Sequence, residues 1–207
     1  MKLKAFTLAE VLVTIGIVGI VATMTMPALV SKYKTVEYTS RAKKGYNTIA
    51  VAIAEYLRVK GADLLTNTSF VNDPTNQLKT VLRVVTNSAT YSSVTRKNFE
   101  LHNLNDQAIA QGTYPAFSNQ HFLLPDGTVI SMSTRINNGT TKNTKLYSIG
   151  IDTNGAKGPN QLGRDVFLYY IVNDGYVEPW NTADCAVGQI GTGCSGKLMD
   201  DGWEMNY

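Results

Sequence analysis

One carboxylate stands alone in the most apolar part of the chain. Glu10 is the only charged residue between positions 8 and 30, a run of 23 residues. A charged side chain costs about 2.5–3.5 kcal/mol at the centre of a bilayer, and somewhat less near the interface. A helix that served only as an anchor would carry Leu or Val there. The placement predicts a functional role for Glu10 with a cationic partner. The alternative is a side chain that reaches the lipid headgroups.

A second group of candidate residues lies in a glycine-rich stretch of the C-terminal half. Asp152, Asn154 and Asp165 occur in IDTNGAKGPNQLGRDVF, whose glycines permit tight turns. Hard oxygen donors of this kind suit Ca²⁺, so these three residues are candidate calcium ligands. The stretch is not an EF-hand, because the ligand spacing and the terminal Glu are missing. The alternative is an Asx-turn loop that only connects two strands.

Other residue types offer little chemistry. His102 and His121 are the only histidines, and they lack metal-ligand spacing with the cysteines. The chain has no nucleophile elbow, no phosphate-binding loop and no HExxH pattern. We therefore expect no enzyme activity.

The element that carries Glu10 spans residues 6–30, FTLAEVLVTIGIVGIVATMTMPALV, after the basic leader MKLKA. A helix needs about 20 apolar residues to cross a bilayer core, and this stretch alone is long enough. A secretory signal peptide would have a shorter apolar region of about 7–15 residues and a small-x-small cleavage site. A simple signal anchor explains the length, and the positive-inside rule would keep Lys2 and Lys4 in the cytoplasm. It does not explain Glu10.

A third interpretation accounts for all of these features. In KAFTLAEVLVTIGIVGIVA, a short basic leader ends in a small residue, then Phe-Thr-Leu-x-Glu precedes the apolar run. This pattern resembles the class III signal of type IV pilins and of the pseudopilins of type II secretion. The resemblance implies that a prepilin peptidase cuts between Ala5 and Phe6, although family members usually have Gly where this chain has Ala5. It also implies that Phe6 becomes N-methylated and that Glu10 neutralises the terminal amine of a neighbouring subunit during assembly.

Residues 31–61 are polar overall but keep helical spacing. Apolar or aromatic side chains recur at steps of three or four, at Tyr38, Ala42, Tyr46, Ile49, Ile53 and Leu57. This predicts that the same helix continues, now amphipathic and outside the membrane, until Gly61. The whole helix would have about 55 residues and a length of about 80 Å.

The remainder, residues 62–207, is predicted to form a globular head. Asp73-Pro74 indicates a helix start, and the Ser-, Thr- and Asn-rich stretch after this helix is predicted to be a loop. About four antiparallel strands, with one face on the long helix, are predicted at 122–124, 128–133, 146–151 and 166–172. The candidate calcium loop joins the last two strands. It resembles a D-x-N-G-x-K-G-P-N-x-x-G-x-D loop of pseudopilin-like proteins, some of which hold calcium in this region.

The two cysteines, Cys185 and Cys194, close the segment CAVGQIGTGC. The orientation of the helix would place the head outside the cytoplasm, where disulfides persist, so we expect a bridge between them. The spacing is not Cys-x-x-Cys, which disfavours a redox or metal role. The resemblance strengthens this expectation, because pilins often tie down a C-terminal loop with one disulfide.

The sequence therefore predicts an α+β, pilin-like fold. Its parts are a leader (1–5), a transmembrane and assembly half of the helix (6–30), an amphipathic half (31–61) and an extracytoplasmic head (62–207). The formal net charge is +3 and falls to +1 once Lys2 and Lys4 are removed, so a broad basic field for nucleic acid is absent.

The resemblance implies a filament subunit that is stored as a single-pass protein of the cytoplasmic (inner) membrane. Its partners would be copies of itself or other pilin-like subunits, the prepilin peptidase and an inner-membrane assembly platform. A type II secretion pseudopilin is the first expectation. The first alternative is a major or minor type IV pilus subunit for adhesion, motility or DNA uptake. The alternative from another class is a signal-anchored extracellular binding domain that does not polymerise.

Overall fold

The computed structural model describes residues 7–95, 100–110, 112–186 and 188–207. The chain divides into two compact units, Met1–Glu37 and Tyr38–Tyr207. The first unit is described from Thr7 onward. Each unit contains part of one helix, α1, which runs from Leu8 to Lys60.

Helix α1 confirms the predicted continuous helix and its end. It remains helical through Pro27. Gly61 follows its last residue with φ +61°, a left-handed conformation that favours glycine. Between residues 8 and 37 the helix has no buried side chain. In the second unit its buried face is Thr39, Ala42, Gly45, Ile49, Ala52, Ile53, Tyr56 and Leu57.

This buried face agrees only in part with the apolar face that was predicted for residues 31–61. Ala42, Ile49, Ile53 and Leu57 are buried as expected, whereas Tyr38 and Tyr46 are half-buried. The prediction omitted Gly45, because glycine has no apolar side chain to contribute to a periodic pattern. Gly45 lies where the sheet comes closest, and a Cβ there would stand 2.7 Å from Cγ2 of Ile151.

In the part of the second unit that the structure describes, α1 is followed by three short α-helices and eight strands. The helices are α2 (Pro74–Val81), α3 (Tyr91–Thr95) and α4 (Cys194–Asp200). The strands are β1 (Thr86–Ser88), β2 (Leu101–His102), β3 (Ala108–Ile109), β4 (Gln120–Leu123), β5 (Val129–Met132), β6 (Lys145–Asp152), β7 (Val166–Val172) and β8 (Val177–Pro179).

Six of these strands form one antiparallel sheet in the order β1-β4-β5-β6-β7-β8, and β2 and β3 form a separate two-stranded ribbon. The four predicted strands are present as β4 to β7. The predicted number of strands was wrong, because β1 and β8 extend the sheet at its two edges. The prediction of a loop after α2 was also wrong, because this part of the chain contains β1 and α3. The polar residues of β1 have no local strand pattern and become a strand by pairing with β4.

The sheet is covered on both faces. One face packs against α1, where Ile49, Ile53 and Tyr56 belong to the same core as residues of β5, β6 and β7. A smaller cluster contains Leu101 of β2 and Leu168 of β7. Burial on both faces explains why every residue of β6 after Lys145 is buried. The protein is thus α+β, with a long N-terminal helix on an antiparallel sheet and a disulfide near the C-terminus.

Candidate functional site

Glu10 is held by the residue just before the helix. The backbone N–H and the hydroxyl of Thr7 both donate to Oε2 of Glu10 at 2.8 Å. The N–H of Glu10 donates back to Oγ1 of Thr7 at 3.3 Å. This reciprocal pair is a capping box, with Thr7 at the N-cap and Glu10 at the third helical position. The prediction missed Thr7, although the spacing Thr-x-x-Glu is visible in the sequence.

The helix that begins here exposes its apolar side chains. Leu8, Met24 and Leu29 are 80%, 75% and 69% exposed. Within the described part of the chain, α1 is the single helix long and apolar enough to cross a membrane. A surface of this kind requires lipid or another apolar protein surface. Ala5 and Phe6, the residues of the predicted cleavage and methylation, lie outside the described residues.

The three candidate calcium ligands come together in the loop between β6 and β7. Oδ1 of Asp152 accepts the N–H groups of Asn154 and Gly155 at 3.1 and 2.8 Å. Its Oδ2 accepts the hydroxyl of Tyr91, on α3. No sequence signal pointed to Tyr91, because it is distant from the loop along the chain.

Asp165 organises the other end of the same loop. Its Oδ1 accepts the N–H of Gln161 at 2.6 Å. Its Oδ2 accepts the N–H of Asn160 at 2.9 Å and Nδ2 of Asn154 at 3.1 Å. Asn154 therefore bridges the two carboxylates, and the loop is fixed by hydrogen bonds from its own backbone.

Burial dominates the electrostatics of this network. Asp152 and Asp165 are both fully buried. Burial raises the pKa of Asp152 to about 7, and the neighbouring charge of Asp165 adds to this rise. Burial also raises the pKa of Asp165. The pKa of the Tyr91 hydroxyl is raised by its burial and by the charge of Asp152.

Calcium binding at Asp152, Asn154 and Asp165 stays a prediction. All four carboxylate oxygens accept hydrogen bonds from the chain, so a cation would have to compete with those donors. Oδ1 of Asn154 is buried without a hydrogen-bond partner. Among the described residues, no group of three or more His, Cys, Asp or Glu side chains is arranged to hold a metal ion.

The predicted disulfide is present between Cys185 and Cys194, whose Cα atoms are 4.8 Å apart. It packs against the loop at Gly163, where a Cβ would overlap Sγ of Cys194. Gly163 also has φ +77°, so both the space and the backbone favour glycine there. The hydroxyl of Tyr207 donates to the carbonyl of Gly163 at 2.8 Å. The loop, the disulfide and the C-terminal residue thus form one connected structure.

Comparison of the chain with models of protein families, with curated proteins and with solved structures finds no match in any of the three. Any functional conclusion therefore depends on the residues and contacts described above.

Proposed function

We propose that this chain is a subunit of a type IV pilus-like filament, and specifically a pseudopilin of a type II secretion system. A prepilin peptidase processes it before Phe6, and it then assembles through α1. One observation carries the proposal: a single carboxylate stands at the start of a helical stretch whose apolar side chains are exposed. This charge is unfavourable for a plain anchor, but a cationic amine from a neighbouring subunit would offset its cost.

The contacts of Glu10 support this role. Thr7 satisfies one carboxylate oxygen with two neutral donors but supplies no opposite charge. An N-terminal amine brought by the next subunit would supply that charge, so assembly would be favoured in one register. Gly16 and Gly19 have no atom within 4 Å of their Cβ positions, which leaves room for the close approach of another helix in lipid.

The proposal includes a location and a set of partners. The subunit resides in the inner membrane with its head outside the cytoplasm, and it contacts copies of itself or other pilin-like subunits, the prepilin peptidase and the assembly platform. The disulfide supports this location, because disulfides persist in oxidising compartments.

The decisive experiment is the intact mass and N-terminal sequence of the protein from a membrane fraction. We expect a chain that begins at N-methylated Phe6. A chain that still begins at Met1, in a cell with an active prepilin peptidase, would overturn the proposal and leave a signal-anchored binding domain.

A variant at Glu10 tests assembly separately from processing. We expect Glu10→Gln to remain in the membrane and to be missing from sheared filaments, because the amide cannot neutralise an amine. Thr14→Val is the control, since the Thr14 hydroxyl donates to the carbonyl of Val11 in its own helix. Equal incorporation of both variants would count against the role of Glu10.

Loss of enzyme secretion on deletion of the chain would distinguish a secretion pseudopilin from a pilus subunit.

A further inference from the structure

The chain contains two Asn-Gly pairs, Asn138-Gly139 and Asn154-Gly155. An asparagine in such a pair can lose its side-chain amide without an enzyme. The backbone nitrogen of the glycine attacks Cγ of the asparagine and gives up its proton, the Cγ–Nδ2 bond breaks, ammonia leaves and a succinimide ring remains. Glycine has no Cβ to obstruct this approach. The asparagine side chain and the glycine nitrogen must both be able to move, so the structure decides which pair reacts.

Both reacting groups of the pair Asn154-Gly155 are held by hydrogen bonds. Nδ2 of Asn154 donates to the carbonyl of Gly158 at 2.9 Å and to Oδ2 of Asp165 at 3.1 Å. The N–H of Gly155 donates to Oδ1 of Asp152 at 2.8 Å. Both carboxylates are fully buried, where a hydrogen bond is stronger than in water. Ring closure at Asn154 would therefore have to break contacts that hold the loop together.

The pair Asn138-Gly139 lies in a different environment, in the connection between β5 and β6. Asn138 is exposed, as is the preceding Asn137. The N–H of Gly139 donates to Oδ1 of Asn137 at 2.9 Å, an acceptor on an exposed side chain that water can replace. The amide of Asn138 is thus in contact with water, and the nitrogen that attacks it is held only at the surface.

Arg135 lies beside the position where the product would form. Its Nε donates to the carbonyl of Asn137 at 2.8 Å, and its Nη2 donates to the carbonyl of Gly139 at 3.4 Å. The guanidinium therefore contacts the main chain on both sides of residue 138. A carboxylate created at this position would arise next to a cation, which favours its charged form.

We propose that Asn138 is a site of spontaneous modification in the folded protein, whereas Asn154 is protected. Water opens the succinimide at one of its two carbonyls. Cleavage of the bond from the ring nitrogen to Cγ gives aspartate, and cleavage of its bond to the backbone carbonyl carbon gives isoaspartate, which adds one carbon to the main chain. Either product adds one negative charge, so the net charge of +1 that remains without Lys2 and Lys4 falls to 0. The modification is independent of Glu10 and of filament assembly.

Tryptic peptides separate the two pairs, because residues 136–142 contain Asn138 and residues 146–157 contain Asn154. The full-length protein in detergent is incubated in H₂¹⁸O at mildly alkaline pH and then digested in ordinary water. Mass spectrometry counts only the products formed during the incubation, since these carry ¹⁸O. We expect peptide 136–142 to gain ¹⁸O about tenfold faster than peptide 146–157, or more, because the hydrogen bonds to the buried carboxylates oppose the second reaction. After unfolding in urea the two rates should be similar.

The other outcomes contradict the proposal. Equal rates in the folded protein, a faster reaction at Asn154, or no product at Asn138 would overturn it. A difference between the peptides that persists in urea would also overturn it, because the protection would not come from the structure. Asn138→Gln keeps the amide but moves it one methylene further from the backbone, so it should abolish the product in peptide 136–142. Unchanged incorporation of ¹⁸O in this variant would show that another residue reacts.

Discussion

At the scale of single residues, the buried pair Asp152 and Asp165 shows how hydrogen bonds hold a loop with few apolar residues in one conformation. The sequence grouped Asp152, Asn154 and Asp165 correctly, since all three share one hydrogen-bond network. From the sequence we predicted that these three residues bind Ca²⁺. In the structure, N–H and O–H donors of the chain surround both carboxylates and stabilise the turn. Calcium binding by these residues stays a prediction.

We expect Asp152→Asn to become more stable relative to the parent protein as pH rises from about 4 to about 7. Asp152 has a folded pKa of about 7, against 3.8 as its ordinary value. In this window the folded state keeps a proton that the unfolded state has lost, so the stability of the parent falls as pH rises. Below the window both states are protonated, and above it the cost of the buried charge is constant. Thermal unfolding of both full-length proteins in detergent across this range measures the difference.

The effect of His121 on stability has the opposite pH dependence. The stability of Asp152→Asn must therefore be compared with that of the parent protein at each pH. The folded pKa of His121 is about 4, against 6.5 as its ordinary value. As pH falls through this window the unfolded state gains a proton that the folded state does not, so stability decreases. The effects of the two residues on the pH dependence of stability therefore partly cancel in the parent protein. A pH-independent difference between the parent and Asp152→Asn would show that the carboxyl group is not buried as described.

At the scale of elements, α1 combines two different surfaces in one helix. Its first part exposes apolar side chains, and its second part buries one face against the sheet. The buried face includes small residues because the sheet approaches the helix closely at Gly45. Periodicity alone finds the large apolar residues of such a face but not the points of closest contact.

We expect Gly45→Val to lower the free energy of unfolding of the head by about 1–3 kcal/mol, the usual cost of overpacking. The new Cβ would lie 2.7 Å from Cγ2 of Ile151, so the helix or β6 would have to move. Gly19→Val is the matched control, because it makes the same change in the same helix where no atom lies within 4 Å. Thermal unfolding in detergent should separate the two variants. Identical unfolding curves would contradict the close packing of α1 on the sheet.

At the scale of the whole molecule, basic residues lie on both sides of the apolar stretch. Lys2 and Lys4 precede the apolar stretch, but five basic residues lie within the 14 positions after it, at Lys32, Lys34, Arg41, Lys43 and Lys44. The positive-inside rule counts charges on both sides, so the second group opposes the first. The proposal that the head lies outside the cytoplasm therefore depends on the disulfide, because disulfides persist in oxidising compartments.

We expect Cys185 and Cys194 to resist alkylation when producing cells are lysed directly into denaturant and a thiol reagent. Both would react after reduction, because a disulfide forms and persists only where the compartment is oxidising. The Cys185→Ser, Cys194→Ser double variant gives the unlabelled baseline. Full labelling without reductant would place the head in the cytoplasm and would contradict the proposed topology.

The sequence by itself determined the features that depend on neighbouring residues. The continuous helix up to Gly61 and the strands β4 to β7 each follow from patterns within a few positions of the chain. The pairing of the two cysteines also followed, because the chain has only these two. The apolar run and Glu10 likewise define the assembly proposal without the fold.

Only the tertiary structure decided which distant residues meet. It brought Tyr91 to Asp152, made an edge strand of polar residues 86–88, and required glycine at positions 45 and 163. None of these has a local signal, because each depends on how the sheet, the ribbon and the helices pack. A pattern of residues gives the face that an element buries, whereas the partner of that face is set by the packing of the whole head.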